Sequence, residues 1–188
     1  MRFINSLILT AVLSLINLAW GADSPLYKDG ILSIPSVNSP EQVGKYQDVT
    51  FKLTEQGTWQ LSSVKTIGAS VLGVPGIGLA MIEKIDAVKT DTFPTQVFLR
   101  VSGGFDPCGT ASIGQINQRL ENNRFDVTIT INFLRPAPPN GCLPSVQLFL
   151  KTIPLSVYGL SAGTYSYNVN GTTGTFELTA DNKYPGDY

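Results

Sequence analysis

The stretch Phe125-Asp126-Val127-Thr128-Ile129-Thr130-Ile131-Asn132-Phe133 decides the fold. Apolar side chains alternate strictly with polar ones, and a period of two puts the two sets on opposite faces of a β-strand. One face is expected to be dry, carrying Phe125, Val127, Ile129, Ile131 and Phe133. The other is expected to be wet, carrying Asp126, Thr128, Thr130 and Asn132. Glu121-Asn122-Asn123 supplies a turn before it, so residues 112–120 are read as its hairpin partner.

The same period recurs on both sides. Val97, Leu99 and Val101 alternate with polar residues and Phe98, and Val146, Leu148 and Leu150 form another set. The phase then shifts to Ile153, Leu155 and Val157, which predicts a bulge or bend near Thr152 and Pro154. Residues 165–169 and 175–178 flank Asn170-Gly171, a dipeptide favoured in tight hairpins. Upstream, Ile31-Leu-Ser-Ile-Pro-Ser-Val37 reads as a short edge strand. Val49, Phe51 and Leu53, then Trp59 and Leu61, read as a hairpin around Glu55-Gln56-Gly57. Many short strands separated by turn signals predict an all-β, antiparallel β-sandwich with a small N-terminal β-hairpin unit.

Residues 67–82 break the pattern. They are uncharged, hold four glycines and Pro75, and are unsuited to a stable helix. They are read as a connector whose apolar residues pack between sheets, against the sharper reading of an exposed docking patch. The expected organisation is residues 1–21 as a signal peptide, 22–66 as the N-terminal β unit, 67–81 as the connector, 82–180 as the sandwich and 181–188 as a polar tail. Residues 22–30 are expected to be polar and mobile.

The leader carries Arg2, an uncharged apolar run over residues 8–18, and the small-x-small exit Ala19-Trp20-Gly21. These are the three parts of a secretory signal, with cleavage expected before Ala22. A spanning helix needs about 20 apolar residues, so the run is too short for an anchor, and no cysteine follows the cleavage site to carry lipid. Export to the periplasm or beyond makes Cys108 and Cys142, the only cysteines, an expected disulfide. A bridge closing a loop of about 33 residues stabilises by on the order of 3–4 kcal/mol in the chain-entropy model.

Composition excludes more than it assigns. The chain has 13 Lys and Arg against 14 Asp and Glu, net charge −1, and the charges are scattered. No basic stripe exists to neutralise phosphates, so nucleic acid is not an expected partner. There is no histidine, which removes Ser-His and Cys-His nucleophiles and His-ligated metals. Paired cysteines remove a thiolate nucleophile as well. Asp106 and Glu121 are the carboxylates considered for a glycosidase pair, and Lys65 and Lys151 for a Ser-Lys dyad, but no motif marks either. No enzyme, cofactor or metal site is expected, and residues 181–187 lack the ligand spacing of an EF-hand.

The loop Arg135-Pro136-Ala137-Pro138-Pro139-Asn140-Gly141-Cys142-Leu143-Pro144 is the main binding candidate. Prolines favour pre-ordered extended backbone, and a rigid loop loses little entropy on binding. Arg135, Pro138, Pro139 and Asn140 are its recognition residues, assisted by residues 103–109. The polar face of 126–132 is a second surface.

Two resemblances follow. Leu160-Ser161-Ala162-Gly163-Thr164-Tyr165 resembles the E–F corner of immunoglobulin-like and fibronectin type III-like sandwiches, which implies that Tyr165 pins the turn through its hydroxyl. Tyr167 stands where antibody domains have their second cysteine. Val101-Ser102-Gly103, Asp106-Pro107-Cys108, Cys142 and Val169-Asn170-Gly171 resemble a class of exported bacterial proteins to which no activity attaches. Ile34-Pro35-Ser36-Val37 with Tyr46-Gln47-Asp48-Val49 similarly resembles a β unit of bacterial envelope proteins. The function expected is a non-enzymatic exported binding or assembly module for an envelope or secreted protein or glycan. The alternatives are an inhibitor of a secreted hydrolase acting through the Pro138-Pro139 loop, and assembly through the N-terminal hairpin.

Overall fold

Three hairpins turn on residues that tolerate a left-handed backbone. The pairs Asp29-Gly30, Asn122-Asn123 and Asn170-Gly171 all have positive φ at both positions, the geometry of a two-residue type I′ turn, whose twist matches that of paired strands. The computed structural model describes residues 24–71, 77–107, 110–135 and 145–186. Every regular element among them is a strand.

The N-terminal unit is a five-stranded antiparallel meander, β1 (Leu26–Lys28), β2 (Ile31–Val37), β3 (Tyr46–Leu53), β4 (Trp59–Thr66) and β5 (Ala69–Val71). It is larger than the expected hairpin. Residues 26–28 are not a mobile lead-in, because Asp29-Gly30 folds them back onto β2 with Leu26 opposite Ser33. The row Tyr27, Leu32, Phe51, Leu61 crosses four strands, and the rings of Tyr27 and Trp59 meet edge-on at 5.7 Å.

Eight strands follow: β6 (Ile77–Leu79), β7 (Met81–Lys89), β8 (Val97–Phe105), β9 (Thr110–Glu121), β10 (Arg124–Arg135), β11 (Gln147–Leu155), β12 (Gly163–Val169) and β13 (Thr172–Leu178). The stretch read as a connector therefore supplies a strand to each neighbour, β5 to the N-terminal sheet and β6 to the sandwich. One sheet of the sandwich contains β13, β12, β10, β6 and β9, and the other runs β11-β8-β7. All pairings are antiparallel except the short parallel run of β10 with β12, Arg124–Val127 against Ser166–Val169.

The core lies between the two sheets. Leu99 and Val101 from β8, Ile129 from β10 and Val169 from β12 have no exposed surface, and Ile153, Leu155, Phe176 and Leu178 close around them. Phe125, Val127, Ile129 and Ile131 point inward as the alternation requires, whereas Phe133 is 37 % exposed and lies against Gly78. The bulge expected in β11 is absent: β11 pairs with β8 without a register break from Gln147 to Leu155. The phase shift has another cause. Val146, Leu148 and Leu150 are 58–70 % exposed, so the strand's apolar stripe simply changes from the outer to the inner face.

Strand β10 is paired along both edges. Strand β9 takes one edge. On the other, β12 covers residues 124–127 and β6 covers 130–132. Ala80 N donates to Ile129 O at 3.1 Å, and the gap left at the Ile129 amide is filled by a side chain. Asn170 Oδ1 accepts from the Ile129 amide at 3.0 Å, and its Nδ2 donates to the carbonyls of Ile129 and Ala80 at 2.8 and 2.9 Å. The carboxamide thus stands in for one residue of a strand. Its occupied nitrogen is also why the Asn170-Gly171-Thr172 sequon has a structural explanation.

Tyr167 shows a related device, its ring lying over Gly174, the residue directly opposite on β13. A side chain at position 174 would overlap it. Burial, and secondarily the charge of Asp86, raise the Tyr167 phenol above its usual range. Since the folded phenol holds its proton more tightly than the unfolded one, this contribution is complete below the unfolded value near 10 and is lost as pH rises through the folded value.

Two predictions follow from these contacts. Asn170→Gly relieves the left-handed backbone but strips three hydrogen bonds from buried partners, and urea denaturation should show a loss of about 2–3 kcal/mol. A neutral or stabilising result would mean the residue serves the turn alone. Tyr167→Phe should flatten the decline in melting temperature above pH ~10 relative to the parent.

Candidate binding groove

At the end of the sandwich where Val97 pairs with Leu155, two loops and the C-terminal segment meet. Residues 90–96 connect β7 to β8, and residues 156–162 connect β11 to β12. Prolines and glycines set both loops: Phe93-Pro94 is a cis peptide, and Gly159 has φ +83°.

A single buried side chain ties the three segments. Asn182 is 2 % exposed. Its Oδ1 accepts from the Thr95 amide at 2.7 Å, and its Nδ2 donates to the carbonyls of Thr95 at 2.8 Å and Val157 at 3.0 Å. Its backbone amide donates to Leu160 O, and its carbonyl accepts from Gly159 N, both at 2.8 Å. The neighbouring Asp181 Oδ1 accepts from the Ala162 amide at 2.8 Å. Residues read as a polar tail are therefore a structural clamp. An amide is the side chain that suits this position, since it donates and accepts at once.

Above the clamp lies an open groove of about 310 Å³ lined by Pro94, Gln96, Phe98, Pro154, Ser156 and Tyr158. Three aromatic rings stand beside it. Phe93 meets Tyr184 edge-on at 5.4 Å, and Tyr158 meets Tyr184 at 6.4 Å. Each of the three residues is about half exposed, 50–52 %. Concave, mainly apolar surfaces with a few polar groups are the usual form of a binding site, and exposed tyrosines are enriched where partners dock.

Tyr165 sits below this end, in the corner where its resemblance put it. Its hydroxyl donates to Ser161 O at 2.9 Å, and its ring stacks on Phe176 at 5.6 Å. Of the binding-loop residues, Arg135 is the last residue of β10. Pro138, Pro139 and Asn140, like Cys108, Cys142 and the leader, lie outside the described residues.

The second expected surface, the polar face of β10, is not an open one. Asp126, Thr128 and Thr130 are buried. Thr130 Oγ1 donates to Gln115 O at 2.9 Å. The N-terminal unit docks on this side: Gln115 Nε2 donates to Pro35 O at 3.2 Å, Arg119 to Ser39 O at 3.3 Å, and Gly44 lies against the Asn117 side chain. A polar cleft of about 290 Å³ remains between residues 40–42 and Asp126, Thr128 and Asn168. Its charges are largely matched. Asp126 receives Arg124 at 3.0 Å and Asn168 at 3.3 Å, and Arg119 lies 3.6 Å from Glu121. The Glu41 carboxyl is held below its usual range by hydrogen bonds from the backbone and from Ser39.

The carboxylates considered for a glycosidase pair are kept apart. Asp106 follows β8, while Glu121 ends the 12-residue β9. At about 3.3 Å per residue this places them more than roughly 20 Å apart, beyond the separation that hydrolysis requires. Lys65 is paired with Asp48 at 2.7 Å. Among the described residues no three Cys, Asp or Glu side chains gather as a metal site, and no helix is long and apolar enough to cross a membrane.

Residues 99–178 match a family model, the ORF11 beta-sandwich domain. The match begins within β8 and runs to the end of β13. The all-β sandwich and the ORF11-type likeness thus describe the same part of the chain, and β7, β6 and the N-terminal meander lie outside the matched stretch. No curated protein and no solved structure matches the chain.

Reading the sequence missed Phe93, Tyr158, Tyr184 and Asn182. The three aromatics share a local signal, an aromatic beside Pro or Gly in Phe93-Pro94, Tyr158-Gly159 and Tyr184-Pro185, outside any alternating run. Nothing local marks Asn182, whose partners are 25 and 87 residues away. Replacing Asn182 by Ala should cost about 3 kcal/mol in denaturant unfolding, since buried amides and carbonyls lose their partner. Hydrogen exchange at Thr95 should accelerate more than at the distant β3–β4 hairpin.

Proposed function

We propose that this chain is a non-enzymatic, exported binding module of the bacterial cell envelope, and that it engages a partner protein through the groove beside Phe93, Tyr158 and Tyr184. The observation that carries this reading is the clustering of three half-exposed aromatic rings, Phe93 and Tyr158 each meeting Tyr184, at the rim of an apolar groove. Aromatic side chains left in water at that density are costly to keep unless something covers them, and they offer large rigid contact area at small entropic cost. The Asn182 clamp supports the reading, because a surface held before binding loses less freedom on association.

The compartment rests on the leader and on the two cysteines. A basic start, an apolar run and Ala19-Trp20-Gly21 suit a cleaved secretory signal, and a bridge between Cys108 and Cys142 suits the periplasm or the exterior. No lipid-attachment cysteine accompanies the signal. The absence of histidine in the sequence and the separation of Asp106 from Glu121 favour binding over hydrolysis.

The test places a photo-crosslinking amino acid at position 158 or 184 in the producing cell. Irradiation should give a discrete protein adduct from either position and none from Gln60, which is exposed on β4 of the N-terminal sheet. Equal labelling from position 60, or no adduct from the groove, would refute the assignment.

A further inference from the structure

The strand ends that flank the proline-rich segment, Arg135 and Gln147, lie at the opposite end of the sandwich from the groove. We infer that segment and groove are partners across two copies: the segment Pro136–Pro144 of one molecule docks in the Pro94–Tyr158 groove of the next, giving head-to-tail assembly. This inference rests on the reading of the groove as a binding site and names its occupant.

The chemistry of the two surfaces is matched. Residues 136–144 read Pro-Ala-Pro-Pro-Asn-Gly-Cys-Leu-Pro and carry no charge. Proline-rich sequence favours the extended polyproline conformation, and such segments dock in grooves walled by aromatic rings. The groove offers Tyr158 and Phe98 with Pro94 and Pro154, and Tyr184 and Phe93 extend its rim. No Asp, Glu, Lys or Arg lines it, so an uncharged segment meets no unpaired ion there.

Chain geometry decides between the molecule's own loop and another's. The segment leaves from Arg135, which pairs with Thr110, and returns before Gln147, which pairs with Phe105. The groove is at the other end of β11, where Leu155 pairs with Val97. Nine residues of β11 separate the two ends, about 26 Å at 3.3 Å per step. A loop tethered at residues 135 and 145 must go out and come back, so its tip reaches no more than about 17 Å. The segment therefore falls short of its own groove and is free to enter a neighbour's. Because the two surfaces differ, the contact is heterologous. It propagates along the sandwich axis rather than closing as a two-fold dimer.

The test uses the exported chain under oxidising conditions, together with a labelled peptide of residues 134–145 carrying Cys142→Ser. The peptide should bind saturably, at least tenfold more weakly to Tyr158→Ala and Tyr184→Ala proteins, and should fail when Pro138 and Pro139 are both replaced by Gly. Sedimentation velocity should show species growing beyond dimers with concentration. Tyr158→Ala protein and Pro138→Gly/Pro139→Gly protein should each remain monomeric, yet mixed together they should form a dimer and nothing larger. This complementation requires the loop of one copy in the groove of another, and the growth of the parent beyond dimers excludes a reciprocal two-fold exchange. Tyr158 is half exposed, and unchanged melting temperatures confirm that both variants fold.

Peptide that does not bind at about 1 mM, or binds Tyr158→Ala undiminished, overturns the inference. So does association that survives both variants. Adducts from position 158 separate the two readings. Adducts mapping to residues 136–144 of another copy support both. Adducts to a different protein, with no peptide binding, reject self-docking and leave the groove a binding site. With neither adduct nor peptide binding, both readings fail.

Discussion

Strand β10 is partnered on both edges from Arg124 to Asn132, and the structure depends on how that is achieved. A buried strand must satisfy every amide and carbonyl. Here the partners on one side change midway, from parallel β12 to antiparallel β6. At the junction the Ile129 carbonyl still accepts from Ala80 N at 3.1 Å, but its amide meets no strand on that edge, in a part of the core where it has no exposed surface. The Asn170 carboxamide supplies one acceptor and two donated bonds at that point. Its own left-handed φ of 46° comes from the β12–β13 turn, so one residue sets a hairpin and splices two strands together.

The splice explains how β6, drawn from the stretch between the two β units, joins the sandwich. Strand β6 can join the sandwich only because β12 stops at Val169 and leaves the rest of the β10 edge open. The chain preceding β6 is held in the N-terminal sheet, with Gly68 N donating to Ile77 O at 2.6 Å. The two units are consequently coupled through backbone hydrogen bonds as well as through the contacts of Gln115 and Arg119 with residues 35–39. A polar strand face that would ordinarily meet water is buried by that docking, Asp126, Thr128 and Thr130 included. Each threonine hydroxyl can be satisfied by one nearby acceptor, as Thr130 is by Gln115 O.

At the far end the same need for buried polar partners produces the groove. The loops 93–96 and 156–160 have few ladder bonds of their own, and Asn182 supplies them from the end of the chain. With the loop backbones satisfied from within, their aromatic residues need not fold inward and remain at the surface. The arrangement separates the residues that hold this end together, Asn182 and the Tyr165 corner, from the exposed aromatic surface of Phe93, Tyr158 and Tyr184.

Periodicity and turn chemistry by themselves determined that this protein is a β-sandwich. Alternation in residues 125–131, the Asn170-Gly171 turn and the Leu160-to-Tyr165 corner are local features, and a period of two admits only one regular structure. The face each alternating set would bury was not determined, because a strand's pattern is silent on which side the partner sheet lies. Hence Val146, Leu148 and Leu150, apolar and alternating, point to solvent, and Thr128 and Thr130 do not. The Asp29-Gly30 turn was equally local but was hidden by the polar residues around it. Only the tertiary structure could decide the splice at Asn170, the clamp at Asn182 and the grouping of three aromatics. Their partners lie between 41 and 91 residues away in sequence for the splice and the Phe93–Tyr184 contact, and such pairings arise from the order in which strands are laid into sheets, which no local propensity encodes.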